Sequence, residues 1–189
     1  MNIILGTTAL MLNDYPKPEH KKYLKTLHKS GENLLGIIND ILDISKIEAG
    51  KLEIELEPVC FNELLENVVT VMDVAAIEKK LQLKTKLNSK SEIWVQTDGL
   101  RLTQIITNLV SNAIKFTAKG SVIIDVKIVN NSTIEIQVID TGMGIPKDKL
   151  ATIFEQYEQV NSHVQKKYKG TGLGLSISKK LIELLNGTI

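Results

Sequence analysis

The sequence has one cysteine, Cys60, among its 189 residues, which excludes an intramolecular disulfide framework and a cysteine-based zinc site. Cys60 is expected to pack as a small apolar residue, and its isolation fits a reducing, cytosolic setting. Charge of one sign is also lacking: 23 basic and 22 acidic side chains leave a formal charge of +1. No bulk field then draws the chain to nucleic acid or an acidic membrane surface, and any phosphate it binds must be held by local geometry. The most apolar opening stretch, Met1 to Leu12, is broken by Gly6, Thr7 and Thr8. It is too short for a bilayer span, which takes roughly 20 residues, and it lacks the basic start of a signal peptide. A membrane sensor would have to lie outside this chain. No internal repeat or low-complexity tract is evident, which removes solenoids and scaffolding arrays. What the chain does have is 43% hydrophobic residues, enough to bury an ordinary core as one compact domain plus an appendage.

Residues Met1 to Leu12 read as the end of a helix, and Asn13 to Pro18 carry turn residues. From Leu24, the residues Leu24, Leu27, Gly31, Leu34, Ile38, Ile41 and Ser45 fall in alternating steps of three and four, the seam of a helical bundle. A helix from Glu19 to Glu48 makes about 45 Å of rod at roughly 1.5 Å per residue. Such a rod with one apolar seam needs partner helices, so dimerisation into a bundle is expected; an internal helix of a monomer is the alternative. Ala49-Gly50 ends the rod, and a boundary near residue 50 separates a segment 1–50 from a domain 51–189. Leu52, Ile54 and Leu56 then alternate as in a strand. Asn62 is placed to cap a helix running to about Lys80, with Leu64, Leu65, Val68, Val69, Met72 and Ala76 on its buried side. Leu81 to Leu87 and Glu92 to Gln96 read as short strands, and Asp98 opens a helix to Phe116. Ser121 to Val129 and Thr133 to Ile139 alternate and meet at Asn130-Asn131, a hairpin signal. Together these imply an α+β fold: a helical hairpin followed by a mixed sheet with helices on one face. Gln156 to Lys169 reads as a mobile loop. Leu173, Ile177, Leu181 and Leu184 return to helical spacing before Gly187 ends the element.

Three groups of residues carry chemistry. Asn108, Asn112 and Lys115 share one helix face, opposite Leu102, Ile105, Leu109, Ala113 and Phe116. Amide oxygens are neutral hard ligands that let Mg²⁺ keep its waters and reach phosphate, and the lysine adds a point charge; taken alone, though, such a triplet is more often a solvated helix face. Asp140-Thr141-Gly142-Met143-Gly144 follows a strand, where an acid can accept a hydrogen bond from an exocyclic amine and glycines admit a flat ring. A plain Asp-Thr-Gly turn is the alternative. Gly170-Thr171-Gly172-Leu173-Gly174-Leu175 leads into a helix whose free N–H groups and dipole attract anions. It is not a Walker loop, because no Gly-Lys-Ser/Thr closes it, and a flexible hinge is the other reading.

The order of these groups resembles the catalytic domain of sensor histidine kinases, with its asparagine box, two glycine boxes and intervening phenylalanine box. Asn108-Leu109-Val110-Ser111-Asn112-Ala113-Ile114-Lys115-Phe116-Thr117 is similar to the first box, and Ile153-Phe154-Glu155 begins the phenylalanine box. Upstream, Ser30-Gly31-Glu32-Asn33-Leu34-Leu35 through Asp43-Ile44-Ser45-Lys46-Ile47-Glu48-Ala49-Gly50-Lys51-Leu52 resembles the second dimerisation helix and its exit. The resemblance covers essentially the whole chain and implies the GHKL, or Bergerat, ATP-binding fold. It also implies roles for particular residues. Asn112 would ligate Mg²⁺, with Asn108 positioning phosphates or metal. Lys115 would contact phosphate, and Phe116 would line the site. Asp140 would read the adenine amino group while Gly142 and Gly144 let the ring approach, and Ile145 and Tyr157 would complete the ATP-binding set. Lys169, Gly170, Thr171, Gly172, Leu173, Gly174 and Leu175 would close over the phosphates as the end of an ATP lid, with Lys166 and Lys167 adding charge or merely solvated. A homodimer through the hairpin, a response regulator receiver domain as partner, and a cytoplasmic location are implied as well.

Departures set further expectations. The family's accepting histidine sits in a segment like Ser-His-Glu-Ile-Arg-Thr-Pro, just before the residues corresponding to Met1-Asn2-Ile3-Ile4. The phosphoacceptor is therefore expected upstream of Met1, and His20, His28 and His163 are poor substitutes. The chain alone is expected to bind Mg-ATP weakly and not to autophosphorylate. After Gly187-Thr188-Ile189 the family continues into further strands, so the sheet is expected to be truncated, with an unpaired edge. Gln156 and Tyr157 stand where Pro and Phe are usual. Two other classes stay open: an ATPase of the gyrase, Hsp90 and MutL group, which would want a glutamate where Asn108 stands, and a non-catalytic dimerisation module.

Overall fold

A computed structural model describes residues 2–14, 16–89, 91–130, 132–156 and 171–189. The chain divides into two units, Met1–Leu52 and Glu53–Ile189. In the first, α1 (Asn2–Asn13) and α2 (Pro18–Glu48) pack as a hairpin. Pro18 begins α2, where its fixed φ suits the first turn and its missing N–H costs nothing. The helices approach closely at Gly31, where a Cβ would lie 2.8 Å from Leu5 Cδ2. Buried Thr8 donates its hydroxyl to the Leu5 carbonyl at 2.9 Å and meets His28 Nδ1 at 2.9 Å. Of the seam residues, Leu24 is buried, whereas Leu27 is 56% and Ile41 49% exposed within the single chain. Ala49 caps α2, Gly50 takes a φ of 63°, and the Lys51 N–H reaches the Lys46 carbonyl at 2.8 Å. That left-handed closure satisfies the last carbonyls, as expected of Ala49-Gly50.

The second unit runs β1 (Glu57–Cys60), α3 (Phe61–Glu78), β2 (Gln82–Leu87), β3 (Trp94–Thr97), α4 (Gly99–Phe116), β4 (Ser121–Asn130), β5 (Thr133–Asp140), a 3-10 turn (Lys147–Lys149) and α5 (Gly174–Leu184). Among the described residues, β1 and β3 form an antiparallel pair, and β2, β4 and β5 form a mixed sheet with β4 central. β2 runs parallel to β4, from Gln82↔Ser121 to Leu87↔Val126, and β5 runs antiparallel, from Val122↔Asp140 to Asn130↔Thr133. Period two puts Val122, Ile124 and Val126 of β4 on one wholly buried face. Phe61, Leu64, Leu65 and Val68 of α3 and Ile106, Val110, Ala113 and Ile114 of α4 complete that core. Helices thus cover one sheet face, as the sequence pattern implied. Cys60 is buried, also as expected.

Three local expectations need correction. Leu52, Ile54 and Leu56 form no strand, because the β1–β3 ladder begins at Glu57↔Thr97 and Asp98 beyond Thr97 turns into α4. Among the described residues no strand lies opposite the chain before Glu57, and the Glu55 N–H goes to Asp98 Oδ2 at 3.2 Å. Asn62 does not cap α3, which starts at Phe61. Its Oδ1 accepts from the Ile93 N–H at 2.8 Å and ties the helix start to the entry of β3. The core stripe of α4 is rotated from the expected one: Leu109 is half-buried and Phe116 is 36% exposed, because α4 packs on α3 and the sheet with one side and on α5 with another. Gly187 ends α5 as expected: its N–H closes on the Ile182 carbonyl at 2.8 Å, with Asn186 before it in the left-handed position (φ 59°). The β4–β5 turn fits expectation in that Asn130 Oδ1 accepts from the Ser132 N–H at 2.9 Å; Asn131 lies outside the described residues.

Candidate functional site

Helix α4 holds the site together, and its start is anchored first. Asp98, buried, accepts the Arg101 N–H at 3.0 Å with Oδ1 and so caps the helix, while Oδ2 takes the Glu55 N–H. Two turns on, Asn108 Oδ1 accepts from Asn112 Nδ2 at 3.4 Å, and Asn108 Nδ2 donates to Ser178 Oγ of α5 at 2.7 Å. α5 approaches so closely that a Cβ at Gly174 would sit 2.3 Å from Asn108 Oδ1. Only glycine fits there without moving the amide. Just before α5, Gly172 has a φ of 73°, Thr171 Oγ1 accepts the Leu173 N–H at 3.2 Å, and Leu173 is 2% exposed. Leu173, Ile177 and Leu181 are the buried anchors of α5. Leu184, counted with them from its spacing, is 40% exposed.

The other end of α4 meets the end of β5. Asp140 Oδ1 accepts the Gly142 N–H at 2.7 Å, a tight side-chain-to-backbone turn. A Cβ at Gly142 would stand 2.7 Å from both that oxygen and the Phe116 carbonyl. Thr141 Oγ1 accepts the Ser121 N–H at 3.0 Å and fastens the turn to β4. Gly144 has a φ of 70°, and Ile145 beyond it is 45% exposed. Lys115 Nζ lies 5.1 Å from the Phe116 ring centroid. Partial burial, and then the charge of Lys79, hold the Lys115 ammonium below the ordinary lysine range.

Of the sequence-predicted residues, the structure brings Asn108, Asn112 and Gly174 together at one station of α4, and Phe116, Asp140 and Gly142 at another, with Lys115 beside the second. The stations together span Asn108 to Phe116, eight residues or about 12 Å of helix at 1.5 Å per residue, with Asn112 four residues before Phe116. Thr171, Gly172 and Leu173 lie on the approach to α5, and Leu175 in its first turn. Tyr157, Lys169 and Gly170, with Lys166, Lys167 and His163, lie outside the described residues. Sequence reasoning missed Ser178 and Lys79. Ser178 stands one helical turn after Gly174, and a polar residue on the packed side of an otherwise amphipathic helix was its only signal; Lys79 had none, its partners being 35 and 36 residues away.

The donor set bears on which metal would fit. Among the described residues, no group of three or more His, Cys, Asp or Glu side chains could hold an ion. Amide oxygen on α4 is the hard donor present, and it suits a Mg²⁺ that takes one or two protein oxygens and keeps waters and phosphate for the rest. No helix among the described residues is long and apolar enough to cross a membrane.

Comparison with known proteins agrees with the boxes. Residues 97–189 match the family described as "Histidine kinase-, DNA gyrase B-, and HSP90-like ATPase", and residues 1–50 match the "His Kinase A (phospho-acceptor) domain". The signal transduction histidine-protein kinase BarA of Escherichia coli K12 is 40% identical over 193 residues, covering 100% of this chain and 21% of BarA. The chain thus spans about a fifth of the length of that curated relative. Full-length ShkA, solved in complex with AMPPNP, superposes with a TM-score of 0.77 at 32% identity, over 97% of this chain and 38% of that one. Histidine kinase ThkA, solved in complex with the response regulator protein TrrA, gives 0.66 at 25% identity, over 98% and 51%. The asparagine, glycine and phenylalanine boxes on this fold, a phospho-acceptor-type hairpin before them and these relatives together place the chain in the sensor histidine kinase family.

Proposed function

We propose that this chain presents Mg-ATP for phosphoryl transfer to a histidine, and that the phosphoryl group passes on to an aspartate of a response regulator receiver domain. The observation that carries the reading is the pair of stations on α4: an amide cluster against the glycine-started α5, and an acid-glycine turn against Phe116. Asp140 accepts from the adenine amino group, while Gly142, Gly144, Ile145 and Phe116 border the ring. Lys115 faces the phosphates, and the N–H groups at the start of α5 take phosphate oxygens. Asn112 would hold the metal, and Asn108 positions it by orienting the Asn112 amide. Mg²⁺, when bound, neutralises phosphate charge; the protein's share is positioning and electrostatics, which is what this reaction chiefly asks of it. The exposed seam of α2 serves dimerisation, and the unit works in the cytoplasm.

Calorimetric titration with ATP and Mg²⁺ tests this. Saturable binding is expected, weakened about tenfold or more in Asn112→Ala, the scale of one lost charge-assisted contact. Equal affinity in wild type and variant would sink the assignment.

A further inference from the structure

Lys79 sits in the closing turn of α3, which ends with Lys80 at a φ of 58° and the Leu81 N–H on the Ala76 carbonyl at 2.9 Å. Its ammonium donates to the Ile114 carbonyl at 2.8 Å and the Lys115 carbonyl at 2.7 Å. These are among the last carbonyls of α4, which lack partners within the helix. A cation there also meets the negative end of the helix dipole. The next carbonyl, that of Phe116, is the one that a Cβ at Gly142 would strike. Lys79 therefore grips the turn on which the Asp140–Gly142 segment rests, and its charge lies close enough to Lys115 to disfavour a second ammonium.

We propose that Lys79 is a positioning residue of the nucleotide site: by binding the Ile114 and Lys115 carbonyls, it fixes the C-terminal turn of α4 and with it the seat of the base against Gly142. This rests on the nucleotide reading above. Lys79 acts through Phe116 and Gly142 and not by touching substrate. Because the grip is made by charge and hydrogen bonds rather than by packing, arginine should replace lysine here and methionine should not.

The test uses the full chain in three forms, wild type, Lys79→Met and Lys79→Arg, with ATP plus Mg²⁺ as the probe. Without nucleotide, Lys79→Met should shift the amide NMR signals of Phe116, Thr117 and Gly142 while those of α1 and α2 stay in place. It should also raise the titration midpoint of Lys115 Nζ. Lys79→Arg should leave both near wild type. With nucleotide, the dissociation constant should rise about tenfold in Lys79→Met and return to within about threefold of wild type in Lys79→Arg. Unmoved Phe116 and Gly142 signals in Lys79→Met overturn the proposal whatever the affinities, and so does an arginine variant as weak as the methionine one. Shifted signals in a chain that binds no ATP even as wild type would instead overturn the nucleotide reading alone. Should Lys79→Met not fold, Lys79→Gln takes its place in the same comparison.

Discussion

Two glycines of the Asp140 turn do different work, and substitution separates them. At Gly142 the obstacle is the Phe116 backbone carbonyl, which cannot swing aside as a side-chain end could. Gly142→Ala should lower stability by roughly 1–3 kcal/mol, the usual scale of overpacking, and weaken ATP binding beyond what that loss explains. At Gly144 a Cβ meets nothing within 4 Å, and the demand is only its φ of 70°. Gly144→Ala should cost about 1 kcal/mol from the left-handed backbone. A thermal melt giving equal losses for the two would show that the Phe116 contact is not limiting. Which residues gather at the candidate site was largely legible at this scale, since Asn108, Asn112, Asp140 and Gly174 announce themselves by spacing within a few positions. How Asn108 acts was not: its bond to Ser178 joins residues 70 positions apart, and nothing local encodes that partner.

At the scale of elements, the helices were easier to read than the ladders. Period and cap residues gave α2 and α4 nearly to their ends because both signals are local, as with Asp98 before α4. The supposed strand at Leu52 failed because pairing is a property of two segments, and the second segment had already turned into α4. Helix ends offer a direct check. Lys80 occupies a left-handed position (φ 58°) that glycine takes without strain. Lys80→Gly should therefore raise stability by up to about 1 kcal/mol, read as a higher urea midpoint with an unchanged slope. A lower midpoint would mean that the Lys80 side chain makes a contact worth more than the backbone strain.

For the molecule as a whole, pH sets a further test. The folded state holds the Lys115 ammonium below its ordinary range through burial and the neighbouring Lys79, whereas the unfolded chain keeps that proton to higher pH. Lys115 thus opposes folding throughout the neutral range, and this opposition fades as pH climbs through the folded pKa towards the unfolded one. Lys115→Met should be more stable than wild type at neutral pH, with the gap narrowing in alkali; a constant gap across urea melts at rising pH would rule out the protonation linkage. The sheet order carries one more consequence. β4 and β5 are consecutive and pair from Asn130↔Thr133 onward, but β2 aligns with β4 only across the intervening β3 and α4. A hairpin closes in microseconds, whereas a pairing that must first wait for a long crossover is slow. The strand that follows α3 is therefore expected to join β4 after the β4–β5 hairpin has closed, which leaves one edge of β4 bare in the interval.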